Sequence, residues 1–263
     1  MKNLPKLNTS YWALMLICTT MGELIGNLLS RNFELGYTLG AVIDVCIFSL
    51  MIFIVLKFKF KNDISYWILI LVGNIGGTNL ADWVTLDPLD KDKMWGLLQP
   101  LQLGTKIGSL VVMGSLLSVL FIRYIISKRI GEHRLFSSIF YWIAILLSST
   151  FGTTSGDFIT NDTPLGAFGG SLFLLAILGI IFTAFKYRHL NESTAYWSAL
   201  VLMHPVGATI GNYISKPIGL NFGNVYTNLG FGIIFIIIYL NMGRLNRNHR
   251  TAIQPEEARD ALL

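Results

Sequence analysis

The chain has 263 residues, of which 53% are hydrophobic and only 13% charged, and its mean hydropathy is +0.58. A soluble domain carries about 25% charged residues, so the composition excludes a soluble protein and places the chain in a bilayer. The net charge of +5 is confined to particular loops and reads as membrane topology rather than as a nucleic-acid surface.

Crossing a bilayer core of about 30 Å takes roughly 20 apolar residues. Apolar periods and breakers predict eight such spans, near residues 11–29, 37–56, 64–84, 103–126, 135–158, 166–185, 195–214 and 224–241. The first run is of spanning length and lacks a small-residue cleavage site, so it is expected to remain as a helix. Cys18 and Cys46 fall inside apolar runs and read as small buried residues rather than as a disulfide or metal site. Residues 87–103, with Asp87, Asp90, Lys91, Asp92 and Lys93 followed by Met94, Trp95, Leu97 and Leu98, form an insertion between the third and fourth spans. It is expected to be a lid on the outer surface or a solvated linker. The segment 246–263 reads as a polar, partly disordered tail.

The odd spans repeat one pattern. Tyr-Trp pairs stand at Tyr11-Trp12, Tyr66-Trp67, Tyr141-Trp142 and Tyr196-Trp197. Counting from each Tyr, offset +8 is polar (Thr19, Asn74, Ser149, His204), +11 is Gly (Gly22, Gly77, Gly152, Gly207) and +15 is small (Gly26, Ala81, Gly156, Gly211). Offset +16 is an acid or its amide: Asn27, Asp82, Asp157, Asn212. Each repeat is therefore a pair of spans, at approximately 10–57, 65–127, 140–186 and 195–243 of a single transmembrane domain, 1–263. The Tyr-Trp pairs are 55, 75 and 55 residues apart, so a two-repeat block duplicated with about 20 extra residues in its second copy accounts for the spacing.

Lys and Arg divide fifteen to five between the two sides of the eight spans. The richer side holds both termini, which the positive-inside tendency assigns to the cytoplasm. The fold class that follows is an all-α polytopic membrane protein, eight transmembrane helices in four two-helix repeats of parallel orientation. Inverted repeats would have alternated. The Tyr-Trp pairs are expected at the cytoplasmic interface, where amphipathic rings favour the headgroups. The +11 Gly then lies ~16 Å in and the +16 position ~24 Å in.

Offsets +8, +11, +12 and +15 fall within an arc of about 100° on a helix, with +16 beyond its edge. Small residues spaced by four let backbones approach in lipid, so Gly22, Gly26, Gly77, Gly152, Gly156, Gly207 and Gly211 are expected to pack helices and leave room for a homo-oligomer. Packing does not account for the acids. Asp82 and Asp157 are costly inside a bilayer and should face the bundle interior or a wet cavity. With Asn27 and Asn212 they would form a ring of hard oxygen ligands, and Asp82 and Asp157 are the metal candidates for a divalent cation as substrate. Glu23, Thr78 and Thr153 at +12, with Asn74 and His204 at +8, would form an inner station that binds a cation or relays a proton. The plainer reading makes the two Asp residues helix caps or partners of Lys106, and lets His204 satisfy a helix kinked at Pro205. Asp44, in the second span, has no counterpart in the other copies.

No Walker-type, HExxH, GxSxG or zinc-spaced Cys/His motif occurs, so no catalytic residue and no cofactor are assigned. With its Tyr-Trp pairs and the segments Phe151-Gly152-Thr153-Thr154-Ser155-Gly156-Asp157 and His204-Pro205-Val206-Gly207-Ala208, the chain resembles a family of bacterial integral membrane proteins. That family is built from four tandem repeats of unknown function, each two transmembrane helices with a recurrent tryptophan. The resemblance covers about residues 10–243 and implies this architecture and a bacterial inner membrane; it carries over no activity. The residues point first to a gradient-driven transporter or channel for a cation, in contact with lipid and a small ion. The alternatives are a membrane scaffold or interaction protein, and an intramembrane enzyme acting on a lipid or quinone with Glu23 and His204.

Overall fold

The computed structural model describes residues 7–32, 37–58, 63–85, 100–130 and 134–260. Among them are eight α-helices and no strand: α1 (Thr9–Asn27), α2 (Tyr37–Phe58), α3 (Asp63–Thr85), α4 (Gly104–Ile130), α5 (Arg134–Asp162), α6 (Gly166–Lys186), α7 (Glu192–Ser215) and α8 (Gly223–Asp260). A π-helical turn, Leu28–Asn32, continues α1. Asn8 and Asn191 cap α1 and α7, their side-chain oxygens accepting from the N–H groups of Tyr11 at 2.9 Å and Thr194 at 2.8 Å. Gly104, Gly166 and Gly223 open α4, α6 and α8 at φ of 68°, 62° and 74°. Only glycine adopts this left-handed conformation without strain.

Six helices, α1, α2, α3, α4, α6 and α8, are long and apolar enough to cross a membrane. The chain is thus a multi-pass helical membrane protein. The other two, α5 and α7, pack as α1 and α3 do, and their polar side chains Ser148, Ser149, Thr150, Thr153, Thr154 and Asp157 on α5 and His204, Thr209 and Asn212 on α7 are buried. Their polarity is turned inward, away from lipid.

The odd helices α1, α3, α5 and α7 form a closed ring in which each packs against two neighbours. The even helices lie outside it, α2 on α3, α4 on α5, α6 on α7, and α8 back on α1. Each repeat therefore lays its second helix on the first helix of the next repeat, and the last repeat closes onto the first. The outer faces of the even helices, including Leu50, Phe53, Leu110, Phe121, Leu172, Ile180, Ile233 and Ile237, are exposed and apolar, as a lipid-facing surface requires.

Two expectations change, and a third lies largely outside the described residues. The helix α8 continues to Asp260, through the segment read as a polar tail; after Gly243 that segment holds no glycine and many good helix formers. Cys18 is buried, but Cys46 lies exposed on α2, because α2 is an outer helix. Of the insertion 87–103, residues 87–99 lie outside the described residues. Its end returns to α3, with Leu101 and Leu103 donating to the carbonyls of Trp83 and Val84, each at 3.0 Å.

Candidate functional site

The ring of odd helices is built in layers, and one end is closed by tyrosine. The four hydroxyls join in a circuit: Tyr11 to Tyr66 at 2.7 Å, Tyr66 to Tyr141 at 3.0 Å, Tyr141 to Tyr196 at 2.8 Å, and Tyr196 to Tyr11 at 3.3 Å. Each hydroxyl can donate to one neighbour and accept from the other, so the circuit satisfies all four. It also requires the odd helices to run parallel, since every tyrosine sits in the first turns of its helix. Each Trp packs against the preceding repeat's Tyr: Trp67 on Tyr11, Trp142 on Tyr66, Trp197 on Tyr141 and Trp12 on Tyr196, at centroid distances of 5.4, 5.9, 5.7 and 6.0 Å. From outside, Phe48, Phe182 and Phe235 meet Trp142, Trp12 and Trp67, while the fourth Trp, Trp197, takes the Arg123 guanidinium. The Tyr-Trp pairs thus form a collar inside the bundle. Their repetition in four parallel helices puts the hydroxyls within reach of one another.

Beyond the collar the interior is apolar. Leu14, Met15, Leu69, Ile70, Ala144, Ile145, Ala199 and Leu200 are completely buried. Apart from Ser148, at offset +7 on α5, the buried polar side chains of the odd helices begin at offset +8, so an apolar layer separates the tyrosine end from the polar half of the interior.

At +8 and +11 the helices interlock. A methyl group on Gly22 would collide with Asn74, on Gly77 with Ser149, on Gly152 with His204, and on Gly207 with Thr19. Every +11 glycine is therefore the notch that receives the +8 side chain of the next repeat, around the whole ring. One turn further, Gly26 faces Thr78, Gly156 faces Ala208 and Gly211 faces Glu23, so the +15 column receives the +12 column. The hydroxyls of Thr19 and Ser149 donate to the carbonyls of Met203 and Asn74 on the preceding helix, at 3.3 and 3.2 Å.

Glu23 occupies the centre of the polar half. Its Oε2 accepts from Thr153 at 2.7 Å and Thr78 at 3.3 Å, and its Oε1 from the Asn27 amide at 2.9 Å. The two threonine hydroxyls are 3.3 Å apart. Helices of three repeats thus converge on one carboxylate, which is buried and has no ion-pair partner among the described residues.

The two aspartates of the +16 column are held differently. Asp82 pairs with Arg31, whose guanidinium reaches its two oxygens at 3.2 and 3.4 Å. Asp157 accepts from the Asn212 amide at 3.0 Å and has the Lys216 ammonium at 3.9 Å. Their cationic partners are therefore not Lys106. Arg31 and Lys216 both stand at offset +20, in the two repeats that carry Asn at +16. Sequence reading had counted them only as charges on one side of the membrane; the signal was the matching offset.

Of the expected site residues, Asn27 is hydrogen bonded to Glu23 and Asn212 to Asp157, and among the described residues no hydrogen bonds join the four +16 side chains into one ring. His204 and Glu23 are not hydrogen bonded to each other. His204 places Nδ1 at 2.8 Å from the Leu200 carbonyl, and its buried Nε2 has no partner among the described residues. Asn74 is buried with neither side-chain polar atom bonded. Among the described residues no three His, Cys, Asp or Glu side chains surround a common point where a metal ion would fit.

No curated protein and no solved structure matches this chain. Residues 140–189, which are the third repeat almost end to end, match the family model described as Repeat of Unknown Function (DUF347). The chain is thus a membrane protein in which one segment, residues 140–189, is similar to that repeat.

Proposed function

We propose that the protein is a membrane transporter for a cation, a proton or a small metal ion, bound at Glu23. The observation that carries this reading is a buried carboxylate on which three repeats converge and which has no ion-pair partner among the described residues. A charge in that position is costly inside a bilayer, and a bound cation relieves the cost. Thr78, Thr153 and Asn27 supply donors and hydroxyl or amide oxygens around it. Asp82 and Asp157 lie on the path towards the carboxy-terminal ends of the odd helices, each occupied by a tethered cation, Arg31 or Lys216. An arriving cation must compete with these side chains. The apolar layer and the tyrosine circuit are the closed gate on the other side. We place both termini, and hence that gate, on the cytoplasmic side, following the Lys and Arg distribution, and the membrane as a bacterial inner membrane, following the family resemblance. Without an ATPase motif, the driving force is an ion gradient.

The test is flux into liposomes containing the purified protein, for protons and for a series of monovalent and divalent metal ions, with wild type and Glu23→Gln compared. The variant keeps an oxygen for Thr153 and removes the charge. Loss of one ion's flux in a folded Glu23→Gln supports the reading; flux unchanged by the substitution abandons it. A second reading, a membrane scaffold, is favoured by the interlocking glycine notches alone, and predicts no flux in either protein.

A further inference from the structure

One buried acid stands outside the axial column. Asp44 belongs to the outer helix α2 and is turned against α3, where its Oδ2 accepts from the Nδ2 of Asn79 at 2.6 Å. Two glycines make the room. A side chain at Gly40 would meet the Asn79 amide nitrogen at 3.2 Å, and one at Gly76 would meet the Cβ of Asp44 at 3.5 Å. Asp44 is buried and Asn79 completely so.

The hydrogen-bond inventory of this pair is incomplete in an informative way. Asn79 is among the described residues with an orphaned atom: its Oδ1 is buried and accepts from nothing. Among the described residues Asp44 has no ion pair, in contrast to Asp82 and Asp157, and Asn79 is its one polar partner from the elements packed on α2. From α5 the neighbour on this side of α2 is Trp142, which meets Phe48 one turn along. An ionised carboxylate only accepts and leaves the Asn79 oxygen unused, whereas a carboxylic acid has one O–H to donate. An acid and a primary amide can then exchange two hydrogen bonds face to face, O–H to Oδ1 and N–H to the carboxyl oxygen. That arrangement satisfies both groups and places no net charge in the membrane.

We propose that Asp44 and Asn79 are a proton-binding site between α2 and α3, separate from the axial column and independent of what Glu23 binds. The carboxylate takes one proton from the aqueous phase and becomes a neutral acid, held by the amide. The third repeat has the buried Leu174 where the first has Asp44, and no Asp or Glu stands in α4, in α6 or in residues 223–243 of α8, so the site is a single addition to a fourfold plan.

The experiment is infrared difference spectroscopy of the full chain in lipid nanodiscs at neutral pH, wild type minus Asp44→Asn. The expected difference is the carbonyl stretch of one hydrogen-bonded, protonated carboxyl group, with no carboxylate bands. Carboxylate bands in that difference would overturn the proposal. If Asp44→Asn does not fold, Asn79→Ala serves instead: the acid band must move towards the position of a carboxyl without that partner, and an unchanged spectrum overturns the site. Repeating both in a Glu23→Gln background separates this acid from the axial one, so the outcome stands whether or not the transport reading survives.

Discussion

Gly152 is glycine because the neighbouring helix has already placed the Cβ and backbone of His204 where a side chain would begin. Backbone cannot rotate out of the way, so Gly152→Ala must push α5 and α7 apart. We expect a loss of about 3 kcal/mol, the upper range for overpacking a tight interior. Gly114 on α4 has nothing within 4 Å of the same added atom, and Gly114→Ala should leave stability unchanged or raise it by about 0.5–1 kcal/mol. Thermal or denaturant unfolding in detergent measures both, and equal effects would refute the notch description. At the collar, Tyr66→Phe removes the hydroxyl that bonds both Tyr11 and Tyr141. The circuit is broken at two places, and the cost should be about 1–3 kcal/mol. No comparable loss should follow Tyr226→Phe, since Tyr226 is 76% exposed.

Between elements, the telling contacts are the ion pairs that link α3 to the π-helical turn after α1, and α5 to the end of α7. Arg31→Gln and Asp82→Asn should each destabilise the protein, and the double variant should lose less than the sum. Because the Arg31 side chain is 40% exposed, solvent screens the pair, and a coupling of about 1 kcal/mol is expected. Lys106→Gln should show no coupling to Asp82. In flux, Arg31→Gln should lower the cation concentration for half-maximal transport, because a tethered competitor is gone. These helices were legible in the sequence, since apolar runs near spanning length and glycines at their starts fix where a helix can lie. The inward polar columns were legible too, through the Tyr-Trp offsets. What the sequence did not disclose was partner choice. Offset +20 looks like topology until Arg31 and Lys216 are seen to face the aspartates of the neighbouring repeats. That the tyrosine hydroxyls meet is disclosed only when four parallel helices bring them together. Asn79 has no counterpart in its column, so only the fold could join it to Asp44.

At the scale of the molecule, the decisive feature is that each repeat's second helix lies on the next repeat's first, with α8 returning to α1. The two halves of the chain are consequently exchanged across their junction: α4 lies on α5, and α8 on α1. Expressed together as separate chains, residues 1–130 and 131–263 should therefore assemble and co-purify, whereas either alone should aggregate in mild detergent; a stable, monodisperse single half would contradict the closed ring. The ring also explains why a protein of repeats can hold one asymmetric centre, with Glu23 at +12 where the other copies have Thr78, Thr153 and Ala208. The most direct measurement on that centre is thermal unfolding of wild type and Glu23→Gln against rising concentrations of each cation that the wild type transports, protons included. A ligand at a hundred times its dissociation constant stabilises its site by about 2.7 kcal/mol. The account predicts a saturable rise in the wild-type midpoint and none in Glu23→Gln. The same rise in both proteins would place the cation elsewhere and contradict it.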